Sequence, residues 1–553
     1  MLAECAFYCL LTDVENTTQK KRKEQEKRFM ETGKKQWWKE NQRWLVGLIF
    51  LVGFLLRLVC LGQIPAGIHQ DEAYSGYEAY CLLQTGADSH GYVNPVYFIS
   101  WGHGMNALYA YLTIPFIAVG GLNVITIRLP QAIIGCLTLP LFYGFLKRIQ
   151  DRKLAITDLC LLTFNPWHLM LSRWGLEANL VPFFLLLGLY FLMRALQEKE
   201  CYYIPAFVAF GLTLYCYAIM WLVVPILLVF LLIYAIYYRK VRFSPYLILG
   251  VCLMGIIGMP LFLFYLVNNG YLPEIRLPWL SIPQMDSIRE SEVSLAHVKE
   301  NLKYLLHVLI FQKDDMPHNT TPVGIYYYCS IPFLLLGGGG VVCRFVKNII
   351  KRNYEGSDVL VLWAVTAGMV GCMISKVNVN RINCIHLPMI YFTAYGIVLT
   401  IRWLRKRETE VSRWSGRVGM TGIIAMYLMS FGLFGYHYVT ERPTDFYYGY
   451  EDALSYAESR TDGKIGTVMI RYPLVLMHTN MLPQEYLPQM DGAKNFDTVG
   501  QFGRYVMEPS AEDMEQDMVY VVPKSFEEEY LTDGFETEYD NGYYAVIAAK
   551  ASS

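Results

Sequence analysis

Residues 221–238 read Trp221-Leu222-Val223-Val224-Pro225-Ile226-Leu227-Leu228-Val229-Phe230-Leu231-Leu232-Ile233-Tyr234-Ala235-Ile236-Tyr237-Tyr238, and the next two residues are Arg239 and Lys240. Eighteen residues without a charge, closed by two cations, are too long and too apolar for an ordinary core helix. Their length matches the width of a bilayer's hydrocarbon. The same pattern recurs on both sides. Apolar blocks lie near 44–61, 131–147, 154–171, 180–196, 202–218, 246–267, 323–343, 358–375, 384–401 and 418–438, separated by short polar or basic stretches. Composition agrees: 54% of the 553 residues are hydrophobic and the mean hydropathy is +0.28, more than a soluble core of this size requires. The net charge of −1 supplies no field for nucleic acid, which is excluded as a partner. Most of the 13 cysteines lie within apolar blocks (Cys136, Cys160, Cys216, Cys252, Cys372), where they read as small apolar side chains and not as a disulfide frame.

The block 107–121 is ambiguous, and loop charges decide how to read it. If it lies in the interface without crossing, the cytoplasmic loops are 147–153, 194–200, 239–242, 344–352 and 402–417. These carry most of the loop Lys and Arg, such as Lys147, Arg148, Arg344, Lys347, Arg405 and Arg413. The opposite loops (62–130, 172–179, 219–220, 268–322, 376–383) are poor in them, as the positive-inside rule demands. The expected fold class is therefore an all-α polytopic membrane protein of about 11 transmembrane helices, with the N-terminus in the cytoplasm. Residues 1–43 read as a basic cytoplasmic tail and 44–438 as the transmembrane domain, with long outer loops 62–130 and 268–322. Residues 439–553 are richer in acids than bases and hold short strand-like runs, such as Lys464–Ile470 and Tyr543–Ala548. They read as a small C-terminal extracytoplasmic α/β domain.

Four polar motifs fall at the outer boundary. Ile64-Pro65-Ala66-Gly67-Ile68-His69-Gln70-Asp71-Glu72-Ala73-Tyr74 places two adjacent acids just beyond the first span. Carboxylates so near hydrocarbon are costly without a task or a partner, although Asp71 also suits the N-terminus of an interfacial helix. Arg128, in Arg128-Leu129-Pro130, is the sole Arg or Lys of segment 62–130; taken alone it is a snorkelling interface residue. Ser172-Arg173-Trp174-Gly175-Leu176-Glu177-Ala178-Asn179 forms an outer turn in which Arg173 and Glu177 are spaced to pair on a helix. Lys376-Val377-Asn378-Val379-Asn380-Arg381-Ile382-Asn383 is a compact loop ahead of His386 and Pro388. Together they gather acids and cations where a lipid phosphate would sit, and arginine's planar fork suits a phosphate.

This arrangement, over about 45–400 of the chain, resembles the GT-C glycosyltransferase superfamily. The similarity is to the branch of protein O-mannosyltransferases and lipid A aminoarabinose transferases. The motifs that carry it are the acid pair Asp71-Glu72 after the first span, Arg128-Leu129-Pro130 opening the next, the Ser172-Arg173 turn, and Lys376 and Arg381 ahead of Pro388. The resemblance implies an enzyme of the plasma membrane that transfers a sugar from a polyprenyl-phosphate donor to a glycan, lipid or protein acceptor on the extracytoplasmic face. The phosphate leaves as an anion, so the reaction needs a base and cations, and no acid. Asp71 is the expected base, with Glu72 positioning sugar or acceptor or holding Arg128. Arg128, Arg173, Lys376 and Arg381 are the expected phosphate ligands, with Glu177 at the substrate site. No cofactor is required; a divalent metal held by His69 and His103 beside Asp71 is the alternative. Short loops and a lean chain point to a bacterial membrane. The rival readings are a flippase of lipid-linked sugars, a glycan polymerase or oligosaccharide ligase of the same superfamily, and a membrane protein that displays its acidic tail to a partner. A transporter would want ionisable residues deep in its spans and repeated or broken helices, and Asp158 is the one acid well inside a block.

Overall fold

The structure, a computed structural model, describes residues 42–100, 104–285, 293, 295–314, 316, 321–374, 377–405, 409–441, 446–489 and 500–550. The expected basic tail lies outside these except for Gln42 and Arg43. The chain divides into two compact units, Met1–Phe54 and Leu55–Ser553. The described part of the first is helical, 42–54. The candidate site lies wholly in the second.

Among the described residues seven helices are long and apolar enough to cross a membrane: Val124–Ile149, Glu177–Gln197, Met220–Tyr237, Pro245–Asn268, Tyr328–Lys351, His386–Leu404 and Val411–Thr440. An eighth crossing is made if Arg152–Thr163 and Pro166–Ser172, bent by 59°, count as one. The bend follows from Pro166, which has no N–H for the preceding turn and a ring that collides with it. Asn165 then starts the second segment, its Oδ1 accepting from His168 N–H at 3.2 Å.

Three expected spans remain, 44–61, 202–218 and 358–375, and the last two are shorter than their apolar blocks. Tyr203–Thr213 has 11 residues and Asp358–Gly371 has 14, which at the helical rise give roughly 16 and 21 Å against a hydrocarbon core of about 30 Å. The apolar residues beyond these helix ends lie in turns. The ambiguous block is a 13-residue helix, Leu108–Gly120, of similar length.

Helix Gln70–Thr85 opens the segment 62–130. His69 caps it, Asp71 and Glu72 occupy its first turn, and Gly86 ends it in the left-handed region at φ 74°. One face carries Ala73, Tyr74, Tyr77 and Cys81, which share a core with Tyr450, Tyr472, Tyr486, Val519 and Val546 from the C-terminal region.

That region is a six-stranded mixed sheet. Its order is Gln501–Phe502, Tyr505–Met507, Ile465–Thr467, Val519–Pro523, Tyr544–Ala549 and Phe535–Asp540. Ile465–Thr467 runs parallel to both neighbours and the other pairs are antiparallel. Helix Tyr450–Arg460 packs on one face through Ala453, Leu454 and Ala457. The strand-like runs expected over 464–470 and 543–548 overlap two of these strands. The sheet domain is not a free appendage: Tyr77 donates to Met481 O, Tyr486 donates to Ser89 O, and the Tyr74 and Tyr472 rings stand 6.5 Å apart.

Candidate active site

Consecutive residues on a helix point about 100° apart, so the two adjacent acids have different surroundings. Glu72 is fully buried. Its carboxylate accepts from Arg128 Nε–H and Nη2–H, each at 2.9 Å. It also accepts from Gly175 N–H at 2.7 Å and from His69 N–H at 3.1 Å. Asp71 has 26% of its side chain exposed, with Oδ2 3.7 Å from His69 Nδ1. The His69 Nδ1 atom accepts from the Asp71 backbone N–H at 3.2 Å. This places the imidazole at the helix start, closing its first turn.

Arg128 spends every donor inside the protein. Besides Glu72, its Nη1 donates to Leu61 O at 3.2 Å and Pro65 O at 2.8 Å, and its Nη2 donates to Gly67 O at 2.7 Å. Arg173 commits four hydrogen bonds to the stretch just upstream. It donates from Nε to Ile64 O, from Nη1 to Leu56 O, and from Nη2 to Val59 O and Cys60 O, all at 2.8–2.9 Å. These are carbonyls at and beyond a helix C-terminus, which lack intrahelical partners and favour a cation. The expectation that both arginines bind phosphate therefore meets two guanidiniums already committed to backbone and carboxylate. Glu177 does not pair with Arg173 either; it is buried and accepts from the Asn106 backbone N–H.

The four motifs do converge, through residues the sequence did not single out for the task. Gly175 links the 172–179 turn to Glu72, and a side chain at 175 would meet Tyr109 Oη at 2.8 Å. Asn179 accepts from Gln131 Nε2 on its backbone oxygen at 3.0 Å, which joins the turn to the Arg128 helix. Its side-chain oxygen accepts from Asn383 Nδ2 at 3.0 Å, which joins it to the late loop. Asn383 also donates to Ala178 O at 3.2 Å and accepts from Trp167 Nε1 at 2.9 Å. Arg381 stands two residues from Asn383, half-buried, in a loop shaped by Asn378 Oδ1 accepting from Arg381 N–H at 2.8 Å. Lys376 and His103 lie outside the described residues.

The C-terminal segment reaches the same place. Phe446 O accepts from Ile68 N–H at 2.7 Å, and Tyr447 Oη donates to Gln70 Oε1 at 3.3 Å. The Phe446 ring lies 5.6 Å from His69, 5.7 Å from Trp174 and 5.9 Å from Arg128 Cζ. No local pattern marks Phe446 for this role, since its partners, Ile68, His69, Arg128 and Trp174, all lie far away in the sequence. The one sequence sign is Gly67, which takes φ +78° and whose missing Cβ would fall 1.8 Å from Phe446 O.

Glu78, further along the acidic helix, and Asp88, beyond its end, are both buried. Glu78 accepts from Ser89 N–H at 2.8 Å and from the Ser89 hydroxyl. Asp88 Oδ1 accepts from Tyr92 N–H at 2.8 Å and His90 N–H at 3.0 Å. Among the described residues Asp88 Oδ2 has no hydrogen-bond partner. Burial pushes the Glu78 carboxyl up to about 7; burial and then the nearby Glu78 push Asp88 well above the usual range. Among the described residues no three His, Cys, Asp or Glu side chains gather as a metal site.

A family model for dolichyl-phosphate-mannose-protein mannosyltransferase matches residues 107–264. No curated protein matches the chain in sequence. The fold is similar to that of ArnT from Cupriavidus metallidurans in the apo state, with a TM-score of 0.55 at 13% identity. The match covers 92% of this chain and 98% of that one. ArnT from the same organism bound to undecaprenyl phosphate matches with a TM-score of 0.53, at the same identity and coverage.

Proposed function

This chain has the fold of the GT-C glycosyltransferase superfamily, and from that premise we propose that it moves a sugar from a polyprenyl-phosphate donor to an acceptor on the extracytoplasmic face. The observation that carries the reading is the division of labour between neighbouring acids. Glu72 is consumed by Arg128, Gly175 and His69, which leaves Asp71, partly exposed in the same helical turn, as the acid able to meet a substrate.

In this reading Asp71 takes the proton from an acceptor hydroxyl or amine. The acceptor atom attacks the anomeric carbon from the face opposite the phosphate. The anomeric C–O bond breaks, the polyprenyl phosphate leaves with the electron pair, and the configuration inverts. The leaving group needs cationic neighbours and no proton. Arg381 and Lys376 are the proposed phosphate ligands, while Arg128 and Arg173 hold the shape of the site. Glu177 acts from behind, fixing the backbone at Asn106. The reaction as written needs no metal. The undecaprenyl phosphate in the structure of the similar ArnT supports a donor of this class. The loop charges support an N-terminus in the cytoplasm and a C-terminal domain outside, and the short loops of a lean chain support a bacterial plasma membrane.

The test is release of polyprenyl phosphate from a panel of polyprenyl-phosphate sugars by purified protein, comparing wild type with Asp71→Asn and Arg381→Ala. Wild-type release, lowered at least about 10²-fold by Asp71→Asn, is the expected result for loss of a base. Binding or translocation of the lipid without release would favour a flippase. The acceptor that is modified separates a protein or lipid transferase from a glycan polymerase or oligosaccharide ligase.

A further inference from the structure

Asp71 sits in the first turn of its helix, where backbone N–H groups lack intrahelical partners and helices fray. A base must nevertheless be held closely, since a displacement of about 1 Å can cost 10²-fold in rate. His69 and Glu72 close part of that turn from within. The rest of the restraint comes from the far end of the chain. Phe446 O holds the Ile68 N–H at 2.7 Å, and the backbones approach this closely because residue 67 has no Cβ. Tyr447 Oη holds Gln70 Oε1 at 3.3 Å. The buried Phe446 ring completes a group with His69 and Trp174 that covers the Glu72–Arg128 ion pair. These contacts fall on residues 67, 68, 69 and 70, immediately before Asp71.

The segment is itself anchored. Gly449, at φ +88°, starts helix Tyr450–Arg460, and its carbonyl accepts from Asn541 Nδ2 at 2.8 Å, a residue between the last two strands of the sheet. The sheet domain holds the middle of the acidic helix as well, through Tyr77 to Met481 O and the Tyr74–Tyr472 ring contact.

We propose that Phe446 and Tyr447 form a strap that positions Asp71, and that the C-terminal domain is thereby a working part of the active site. This rests on the transferase reading above. Neither side chain has to touch substrate; each acts through the start of the acidic helix, so both are positioning residues. The strap also explains why the domain docks on this helix: it fixes the start and the middle of one rod, and Asp71 lies between the two fixings.

The experiment compares wild type, Asp71→Asn, Phe446→Ala, Phe446→Leu and Tyr447→Phe as full-length purified proteins. It measures kcat and donor KM for polyprenyl phosphate release, the thermal midpoint, and hydrogen exchange of the amides 67–74. The strap predicts that Phe446→Ala lowers kcat about 10-fold or more and Tyr447→Phe lowers it several-fold, with donor KM within about twofold. Amides 67–74 exchange faster in both, the thermal midpoint of Tyr447→Phe stays near that of wild type while that of Phe446→Ala falls as for any emptied apolar site, and Phe446→Leu, which keeps an apolar cover, recovers most of the loss. Wild-type release that Asp71→Asn abolishes but the 446 and 447 variants leave intact overturns the strap alone. So does a fall of kcat, donor affinity and thermal midpoint together, which marks a purely structural contact, and so does unchanged amide exchange. No release by wild type from any donor overturns the transferase reading and the strap with it.

Discussion

Glu72 and Arg128 meet through two parallel hydrogen bonds, Nε to Oε1 and Nη2 to Oε2, each 2.9 Å long, with neither side chain reached by solvent. A carboxylate and a guanidinium in this geometry form the strongest pairing available to side chains. Burial makes the pair brittle, because removing one partner leaves the other charged and unsolvated.

Arg128→Ala is therefore expected to destabilise the fold by about 3–5 kcal/mol. The measurement is thermal unfolding in detergent beside donor binding. A stable Arg128→Ala protein with weakened donor binding would instead make Arg128 a phosphate ligand. Arg128→Lys is expected to rescue little, since an ammonium cannot reproduce the fork or reach the three carbonyls at once.

Asn383 satisfies three buried partners, Trp167 Nε1, Ala178 O and Asn179 Oδ1. Asn383→Leu leaves those groups without it in a site closed to water, at a cost of about 1–3 kcal/mol for each unsatisfied group. The loop bearing Arg381 would lose its tether to the 172–179 turn. Faster hydrogen exchange over 377–385 in the variant is the expected readout, and unchanged exchange would place the loop's anchor elsewhere.

Gly67→Ala combines two faults. The φ of +78° disfavours any side chain, and the new Cβ would fall 1.8 Å from Phe446 O. One backbone must move, so the Ile68–Phe446 hydrogen bond breaks. The expected outcome is a loss of more than about 1 kcal/mol, read as a lower thermal midpoint, together with easier proteolysis between the acidic helix and the C-terminal domain.

The buried Glu78 sets a pH dependence with a definite sign. An unfolded glutamate loses its proton near 4.5, whereas the folded protein keeps it to about 7. Between those values the folded state binds more protons than the unfolded, so stability falls as pH rises. The contribution is complete below about 4.5 and gone above about 7, amounting to on the order of 3 kcal/mol. Asp88, raised in the same direction, adds to the slope. Glu78→Gln keeps an acceptor for Ser89 without a charge, so it is expected to flatten the dependence and to raise the thermal midpoint at pH 8 more than at pH 5. An equal change at both values would contradict the assignment.

The apolar blocks were legible in composition alone, because a residue's preference for hydrocarbon is local and additive over a window. Helix ends were less so. Tyr203–Thr213 and Asp358–Gly371 stop short of their apolar blocks, and hydropathy does not register whether an apolar residue lies in a helix or in the turn after it. Pro166 removes a hydrogen bond of the ladder, but Pro130, Pro140, Pro225 and Pro260 lie inside unbroken helices, so proline alone did not single out the break at Asn165–Pro166.

The sequence by itself determined that this chain carries enough long apolar helices for a multi-pass membrane protein, with an acid pair just past its first apolar block. Only the tertiary structure decided which acid is buried and which is partly exposed. A helix turns about 100° between neighbours, and whether Glu72 or Asp71 meets Arg128 depends on a partner 56 positions away. It likewise decided that Arg128 and Arg173 bind backbone, and that Phe446 and Tyr447 close over the helix start. Those outcomes depend on long-range packing and on the saturation of donors and acceptors. A sequence window reports periodicity and composition, and neither counts how many hydrogen bonds a distant guanidinium has left to give.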